Sequence, residues 1–410
     1  RMSDISLLVI NQYYAPDLAS TGQIAAEICE GLANRGYDVT VVAGEPSYEP
    51  DAPDAPRHEH RGGVEVHRVS TGPFSGKESL FSRFGKYGLF MLAAWRRAAA
   101  VAKRLDPDAV LTFHNPPFVG LLGAHVSRRF DAAYVYSPYD ILPDVVVRGG
   151  WILPDAAIRA WEGINARIHD RADEVVVLGR GMKEVLAEEK GVEREKIESA
   201  ALWAQPELGP EGNGDGVRKE FGIGEDELLL LYSGNMGYMH AVEPIVEAAA
   251  TLDGAPVRFL LVGRGPKRSV VEEALERHEP GNTELLDYQP KDTFVQLVRT
   301  ADAAFVTLEP EMEKLAVPSR ALTFLSAGTP LMVGMGERGE IARLAREEDC
   351  GWIVRSAREL KDRVLDLVDS RDEIHEKSRN ASEAYRAHFS REQTVETYDR
   401  VIRRGLDSGR

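Results

Sequence analysis

The chain has little cysteine and no long apolar segment, and each of these absences excludes a class of protein. Its 410 residues include two cysteines, Cys29 and Cys350, far apart in the sequence. Two distant thiols exclude a disulfide framework and fit a reducing compartment. No apolar run reaches the roughly 20 residues that a membrane-spanning helix needs. The strand-like sequence ISLLVINQ starts within the first residues, so we expect no secretory signal and a cytoplasmic protein.

The chain also has fewer basic than acidic residues. The sequence has 50 lysines and arginines against 66 aspartates and glutamates, a net charge of −16, which excludes a general nucleic-acid binder. Residues 77–104 reverse this trend, because their basic side chains are interleaved with aromatic and aliphatic ones. Such a helix could lie on an anionic membrane surface, or it could be a packing helix with solvated arginines. The candidate membrane contacts are Phe81, Phe84, Trp95, Arg96 and Arg97.

Short apolar runs alternate with helical patterns in both halves of the chain. This alternation predicts parallel sheets covered by helices on both faces. The segment 206–216 is rich in Pro and Gly and is typical of a linker, whereas 44–63, rich in Pro, Asp and His, is typical of a flexible loop. We therefore expect an α/β protein with two doubly wound Rossmann-like domains facing across a cleft. The domains are residues 1–205 and 206–390, and we expect the helical segment 391–410 to pack back on the first.

The second half contains a row of strand–loop–helix units whose loops carry residues suited to phosphates or sugars. These loops are 234–237, 263–267, 288–290 and 318–320. Ligands of parallel sheets bind at the carboxyl ends of the strands, so we expect the four loops to converge on one crevice. The pattern predicts a nucleotide-type ligand.

Several sequence pieces, in this order and spacing, resemble the GT-B fold glycosyltransferases of family 4, the retaining group. Within that family the chain is most similar to the bacterial cell-surface polysaccharide branch, which includes fucosaminyltransferase-like enzymes. The pieces are NQYYAPDLASTGQIAAEICEGLANRGYDVTVVAG (11–44), HNPPFVGLL (114–122), YDILPD (139–144), YSGNMG (232–237), LLVGRGPK (260–267), ADAAFVTLEP (301–310) and PSRALTFLSAGTP (318–330). The resemblance implies an acceptor-side first domain and a nucleotide-sugar-binding second domain.

The resemblance also implies which residues bind the donor. The candidate diphosphate contacts are Gly22, Asn235, Gly237, Arg264, Lys267 and Arg320, and the candidate base and ribose contacts are Tyr288, Gln289, Pro290, Ser319 and Thr323. The sequence departs from the pattern of this family at two places. Relatives often follow the glycine loop with a basic pair, but here the stretch is NMGYMHAVE, with His240 as its one candidate base. Thr323 occupies the position of the glutamate that normally holds the ribose.

Two side chains that follow strands of the first half are the catalytic candidates. By resemblance, His114 contacts the donor sugar near its anomeric centre, although a histidine at a strand end can also be structural. Asp140 could orient the acceptor hydroxyl or accept its proton, or it could cap the next loop. Tyr13 and Tyr14 are candidate acceptor contacts in the turn before the first helix.

The function we expect is retaining transfer of a sugar from a nucleotide-diphosphate sugar, with a UDP-sugar as first choice. The acceptor is a hydroxyl in polysaccharide or glycolipid synthesis, reached from the inner face of the membrane. We expect no cofactor and no metal, because no DxD pair ends a strand and no His/Cys ligand spacing is visible. A nucleotide-sugar 2-epimerase and a non-catalytic nucleotide-binding protein remain alternatives. A dinucleotide oxidoreductase is disfavoured, since VGRGPK lacks the full GxGxxG.

Overall fold

A computed structural model describes residues 5–17, 19–47, 54–71, 80–209 and 215–408, with the side chains of 80–84, 86 and 215 left undescribed. The chain forms two compact units. Unit 1 comprises the described residues of Arg1–Asp144, Ile152–Ala201 and Arg391–Arg410, and unit 2 those of Val145–Trp151 and Leu202–Ser390. The units thus divide between Ala201 and Leu202, and residues 210–214 of the expected linker lie outside the described residues.

The strands of unit 1 are β1 (Ser6–Ile10), β2 (Asp38–Gly44), β3 (His58–Arg61), β4 (Val64–Val69), β5 (Ala109–Thr112), β6 (Ala133–Tyr136), β7 (Glu174–Val177) and β8 (Ile197–Ser199). The strands of unit 2 are β9 (Leu228–Ser233), β10 (Val257–Val262), β11 (Thr283–Leu286), β12 (Ala303–Thr307), β13 (Leu331–Gly334) and β14 (Gly351–Ile353). Each unit has one sheet.

The helices of the first half are α1 (Ser20–Asn34), α2 (Leu80–Leu105), α3 (Val119–Phe130), α4 (Asp144–Arg148), α5 (Asp155–Arg171) and α6 (Arg180–Glu184). Those of the second half are α7 (Asp215–Glu220), α8 (Glu243–Thr251), α9 (Arg268–His278), α10 (Lys291–Thr300), α11 (Arg320–Ser326), α12 (Glu340–Glu347), α13 (Ala357–Asp369), α14 (Arg371–His388) and α15 (Arg391–Ser408).

The sheet of unit 1 has the order β3-β4-β2-β1-β5-β6-β7-β8 and is parallel except for the β3–β4 pair. Its central strands are almost unbroken apolar runs because helices cover both faces. The strand order reverses between β1 and β5, which makes the loops after these two strands a topological switch point. Ligands of open α/β sheets bind at such a point.

The hairpin of β3 and β4 corrects one prediction. Residues 44–63 were expected to form a flexible loop, but His58–Arg61 is a strand antiparallel to β4. Gly62 and Gly63 make the two-residue turn, and both have positive φ, 56° and 81°. This backbone suits a tight hairpin turn with glycine at both positions.

Helix α15 belongs to unit 1 and packs on α1 and β6. The contact with α1 is close at Gly31, where a Cβ atom would stand 2.6 Å from a methyl carbon of Val395. Buried hydroxyl groups join α15 to the sheet, since Tyr398 and Ser137 share a hydrogen bond of 2.7 Å. The last helix is therefore an integral layer of unit 1.

The sheet of unit 2 is entirely parallel, in the order β11-β10-β9-β12-β13-β14. Its centre is the run Leu228–Ser233, in which every residue is buried. The order reverses between β9 and β12, so the second switch point lies at the loops that follow these strands. The prediction of two Rossmann-like parallel sheets is confirmed.

Candidate functional site

The switch point of unit 1 is held together by hydrogen bonds between its two loops. The Gln12 amide donates to the Asn115 carbonyl at 2.8 Å, and the Asn115 side chain donates to the Thr21 hydroxyl at 3.2 Å. Gly22 lies against this loop, because a Cβ atom there would stand 3.0 Å from backbone atoms of Tyr13. The structure thus gives Gly22 a packing role and leaves its predicted phosphate contact a prediction.

His114 and Asp140 lie next to each other at this switch point. The backbone N–H of Tyr139 donates to His114 Nδ1 at 3.2 Å, so the proton of the neutral ring is on Nε2. Nε2 is 3.7 Å from Asp140 Oδ2, beyond direct hydrogen-bond distance. Burial lowers the pKa of His114, and the Asp140 charge opposes this only in part. The site therefore presents an N–H donor beside a carboxylate.

A small cavity of about 20 Å³, enough for about one water molecule, adjoins this pair. It is lined by His114, Pro117, Phe118, Tyr136, Pro138, Asp140, Ile141, Leu142, Trp161, Asn165, His169 and Leu186. Burial lowers the pKa of His169 to about 4, and it raises the pKa of Tyr136. Sequence reasoning gave a role to neither of these two side chains, although Tyr136 lies just before the motif that contains Asp140.

The two candidate acceptor tyrosines have different environments. Tyr13 is half-buried, whereas Tyr14 is completely buried and its hydroxyl lies close to Cys29. A side chain in the core reaches neither an acceptor nor a membrane, so the prediction for Tyr14 is corrected. Tyr13 stays a candidate contact.

Helix α2 carries the predicted membrane residues. Trp95, Arg96 and Arg97 are exposed, and Leu89 and Leu92 are exposed beside them. The predicted contacts Phe81 and Phe84 have side chains outside the described residues. Among the described residues, none of the helices combines the length and apolar character that crossing a bilayer requires.

In unit 2, the loops after β9 and β10 pack against each other through glycine. A Cβ atom on Gly263 would stand 1.9 Å from the Gly234 carbonyl oxygen, and one on Gly265 would stand 2.5 Å from the Met236 carbonyl oxygen. A Cβ atom on Gly234, in contrast, would meet nothing within 4 Å. The glycines of the predicted VGRGPK motif therefore serve loop packing, while the open space lies at the first glycine of YSGNMG.

Two of the predicted phosphate-binding cations already have carboxylate partners. Arg264 makes a bidentate pair with Asp287, at 3.2 and 3.0 Å, on the protein surface. Lys267 Nζ contacts Glu309 at 2.5 Å and Glu243 at 3.1 Å. Although burial acts against it, these hydrogen bonds raise the pKa of Lys267. The charge of both residues is thus balanced within the protein, which weakens their predicted role in holding a diphosphate.

Arg320 differs from these two residues. Its guanidinium lies over the ring of Phe294, 5.1 Å from the centroid, and within the described part of the chain it contacts no carboxylate. Burial lowers the pKa of Arg320, and the phenol groups of Tyr288 and Tyr232 act in the opposite direction. An arginine stays charged in proteins, so the described residues leave this cation without a compensating carboxylate.

The other residues predicted to contact the donor differ in how exposed their side chains are. Thr323 is buried and only 2% exposed, like the neighbouring residues of α11, and this burial corrects its predicted ribose contact. Ser319, Tyr288 and Pro290 are exposed. Gln289 is half-buried, and its side chain donates a hydrogen bond to the Asp287 carbonyl. Asn235 is exposed, and the nearby Gly237 is buried. These six remain candidates.

Sequence reasoning gave no role to the carboxylates Glu243 and Glu309, and it did not predict a cavity of about 230 Å³ near them. The cavity is lined by Ala241, Pro244, Ile245, Phe305, Thr307, Leu308, Pro310, Gly334, Met335, Gly336, Val354, Arg355, Ser356 and Leu360. His240 donates from Nδ1 to the Thr307 carbonyl at 2.9 Å, which orients its ring, and burial lowers its pKa. The mainly apolar lining does not suit a diphosphate.

Comparisons with known proteins agree with this architecture. The glycosyl transferase 4-like domain matches residues 21–203, and glycosyl transferases group 1 matches residues 215–387. WcaI of Escherichia coli (strain K12), named for glycosyl transfer in colanic acid biosynthesis, is 23% identical over 359 residues, 83% of this chain and 86% of that protein.

Two solved structures share the fold. Sucrose-phosphate synthase from Thermosynechococcus elongatus has a TM-score of 0.76 at 17% identity, covering 98% of this chain and 100% of that one. HepE of Anabaena, solved in complex with UDP, has a TM-score of 0.70 at 13% identity, covering 97% of this chain and 100% of that one. Both family matches, one on each unit, together cover most of the sequence. The chain therefore belongs to the family 4 glycosyltransferases of the GT-B fold.

Proposed function

We propose that the protein transfers a sugar, with retention of configuration, from a UDP-sugar to a hydroxyl acceptor in cell-surface polysaccharide or glycolipid synthesis. Family membership supports sugar transfer in general. The UDP complex of HepE supports the choice of nucleotide, and the name of WcaI supports a polysaccharide product. In this proposal unit 2 binds the donor nucleotide, and unit 1 binds the acceptor and contacts the reacting sugar.

The observation that carries the proposal is the uncompensated charge of Arg320. Holding a half-buried cation without an anion costs free energy, so such a residue is expected where a ligand supplies the anion. Arg264 and Lys267 serve as internal references, because each already contacts a carboxylate. A guanidinium matches the paired oxygens of a phosphate. Arg320 therefore binds the diphosphate and stabilises it as it leaves.

The chemistry proposed for unit 1 uses the N–H of His114 and the carboxylate of Asp140. His114 Nε2 donates to a hydroxyl of the donor sugar near its anomeric carbon, and Asp140 orients the acceptor hydroxyl. The bond from the anomeric carbon to the diphosphate breaks while the acceptor oxygen bonds to the same face. The acceptor proton passes to the leaving diphosphate oxygen, so charge and atoms balance.

The proposed reaction needs no metal, because Arg320 supplies the charge that a divalent cation would otherwise provide. Protein treated with EDTA should keep its turnover. Complete loss of activity that only Mg²⁺ or Mn²⁺ restores would show that this part of the proposal is wrong.

The test of nucleotide binding is a thermal-shift panel with UDP, GDP, ADP, dTDP and NAD. Ligand at a hundred times its Kd stabilises the folded protein by about 2.7 kcal/mol. For a unit of this size we expect a shift of roughly 5–10 °C with UDP. Arg320→Ala should abolish the shift, whereas the matched control Arg264→Ala should preserve it. A shift with NAD alone, or equal shifts in both variants, would contradict the proposal.

Product analysis distinguishes the proposed transferase from the alternative function, a nucleotide-sugar 2-epimerase. An epimerase converts the donor without any acceptor, whereas a transferase needs the acceptor and leaves the 2-position unchanged. A non-catalytic protein would show the UDP shift but neither product. Each of the three functions thus predicts a different result from the same pair of assays.

We also propose that the acceptor is lipid-linked and that the protein is cytoplasmic and contacts the inner face of the membrane through α2. Leu89, Leu92 and Trp95 are exposed apolar side chains, and Arg96 and Arg97 provide positive charge beside them. Such a face binds anionic lipid surfaces. Serine at the three apolar positions should weaken binding to vesicles that contain anionic lipid.

The control for this experiment is Leu365→Ser, which removes an exposed leucine from unit 2. It should bind the vesicles as the wild type does. Unchanged vesicle binding in the triple variant of α2 would rule out this membrane face, while UDP binding would still report on the donor site.

A further inference from the structure

A cluster of metal-ligating side chains lies on the β3–β4 hairpin of unit 1. The register pairs His58 with His67 and His60 with Glu65. Side chains two residues apart on a strand share a face, so these four lie on the same face of the hairpin. The other face carries two fully buried valines of β4. The hairpin therefore packs on the core with one face and collects imidazoles and a carboxylate on the other.

Three of these side chains bring their ligand atoms together. Glu65 Oε1 is 2.9 Å from His58 Nε2 and 3.2 Å from His67 Nε2. One ligand atom from each of the three residues lies within 4.8 Å of the other two. The His58 and His67 rings are stacked, with centroids 4.7 Å apart and an interplanar angle of 12°. Because imidazole lone pairs lie in the ring plane, one of these stacked rings turns when both nitrogens bind the same ion.

The two distances from Glu65 Oε1 to the histidine nitrogens fit a tetrahedral zinc site. Zinc binds histidine nitrogen and carboxylate oxygen at about 2.0–2.1 Å, so two ligand atoms of a tetrahedron stand roughly 3.3 Å apart. Two imidazoles and one carboxylate are also a known ligand set for this metal, whereas Mg²⁺ and Ca²⁺ prefer oxygen ligands. We propose that His58, Glu65 and His67 form a zinc site that ties strand β3 to strand β4. The fourth position is open to solvent, because His58 is exposed.

The second oxygen of Glu65 has partners of its own. Arg104 of α2 donates to Glu65 Oε2 at 2.7 Å, and Thr40 donates to the same oxygen at 3.4 Å. Such outer contacts orient a carboxylate and leave its other oxygen for the metal. Arg104 also lies 3.3 Å from His67 Nε2, a contact that zinc replaces. The Arg104 side chain is more than half exposed, so it is free to withdraw from the imidazole.

The site is separate from the reacting groups. His67 pairs with Val42 of β2, and β1 and then β5 follow in the sheet, so three strand spacings separate β4 from the strand that precedes His114. At about 4.8 Å per spacing this is roughly 14 Å. Zinc at the hairpin therefore stabilises the edge of the sheet and takes no part in transfer. This inference stands independently of the proposed function.

The experiment is isothermal titration of the full-length chain with ZnCl₂ after EDTA treatment and dialysis, in a preparation without a histidine tag. We expect one zinc per chain and a higher melting temperature in its presence. His58→Ala and His67→Ala should each lower the affinity at least tenfold. His278→Ala, which removes an exposed histidine from unit 2, is the matched control and should bind as the wild type does.

A spectroscopic measurement completes the test. Cobalt(II) bound in place of zinc should show the visible absorption of a tetrahedral site, and this band should be lost in both hairpin variants. His58 is exposed, so its replacement leaves the fold intact and keeps the comparison valid. The absence of binding at about 1 mM zinc, a Kd too weak for a structural site, overturns the inference. Binding that persists unchanged in His58→Ala and His67→Ala does the same.

Discussion

Replacing Gly263 with alanine should destabilise unit 2 without touching any catalytic side chain. The new Cβ atom would stand 1.9 Å from the Gly234 carbonyl oxygen, and the residue has a φ of 153°. The clash is with backbone, so no side chain can move to relieve it. Overpacking costs about 1–3 kcal/mol, and a backbone conformation that favours glycine costs about 1–3 kcal/mol more. We therefore expect a loss of about 2–6 kcal/mol, a large share of the stability of a typical domain.

The matched control is Gly234→Ala, on the other side of the same contact. Its Cβ atom would meet nothing within 4 Å, so we expect its free energy of unfolding to change by less than about 1 kcal/mol. The assay is urea denaturation followed by circular dichroism, with thermal shifts in UDP recorded for both variants. If the open space at Gly234 is where the donor phosphate approaches, this variant loses UDP binding while it keeps its stability. Equal stability of the two variants would refute the packing argument.

Three further predictions concern stability. Because burial holds the pKa of His169 at about 4, below its unfolded value near 6.5, the unfolded state takes up a proton first as the pH falls. Between pH 6.5 and 4 the wild type should therefore lose about 3 kcal/mol more in free energy of unfolding than His169→Phe, as measured by urea titrations at each pH. Lys267→Met leaves two facing glutamates without their cation and should cost about 1–2 kcal/mol at pH 7, after discounting for their partial exposure. Tyr398→Phe removes the buried hydrogen bond to Ser137 and should lower the free energy of unfolding by about 1 kcal/mol in the same assay.

The alternation of strands and helices was readable from the sequence because parallel strands buried on both faces appear as plain apolar runs. LLLLYS and VRFLLV each end at a glycine, and both are strands whose loops meet. The hairpin strand His58–Arg61 was missed, since its polar sequence lacks an apolar run. A signal was nevertheless present in HEHRGGVEVH, where two glycines separate alternating side chains.

The roles of the cations could not be predicted in the same way. Arg264, Lys267 and Arg320 all follow strands or open helices in the sequence, so the pattern gave them similar weight. Their differences come from partners distant in sequence, such as Glu309, which lies 42 positions from Lys267. Ion pairs of this kind depend on how loops fold over one another, and no local periodicity reports on them. The burial of Thr323 likewise could not be predicted from helical periodicity, since all of residues 321–326 in α11 are buried.

The net charge of −16 makes the placement of this one cation more consequential. A nucleotide diphosphate approaching an acidic protein is repelled at long range, but at physiological salt exposed charges are screened beyond about 8 Å. What then decides affinity is the charge that the ligand meets at contact. Arg264 and Lys267 are each paired with a carboxylate, so their net electrostatic attraction for a bound anion is small. Arg320 brings none from the described residues, and its partial burial shields it from the salt that weakens surface pairs. Of the three cations predicted to bind phosphate, Arg320 is thus the one that, within the described chain, has no carboxylate partner, and the proposed donor site depends on it.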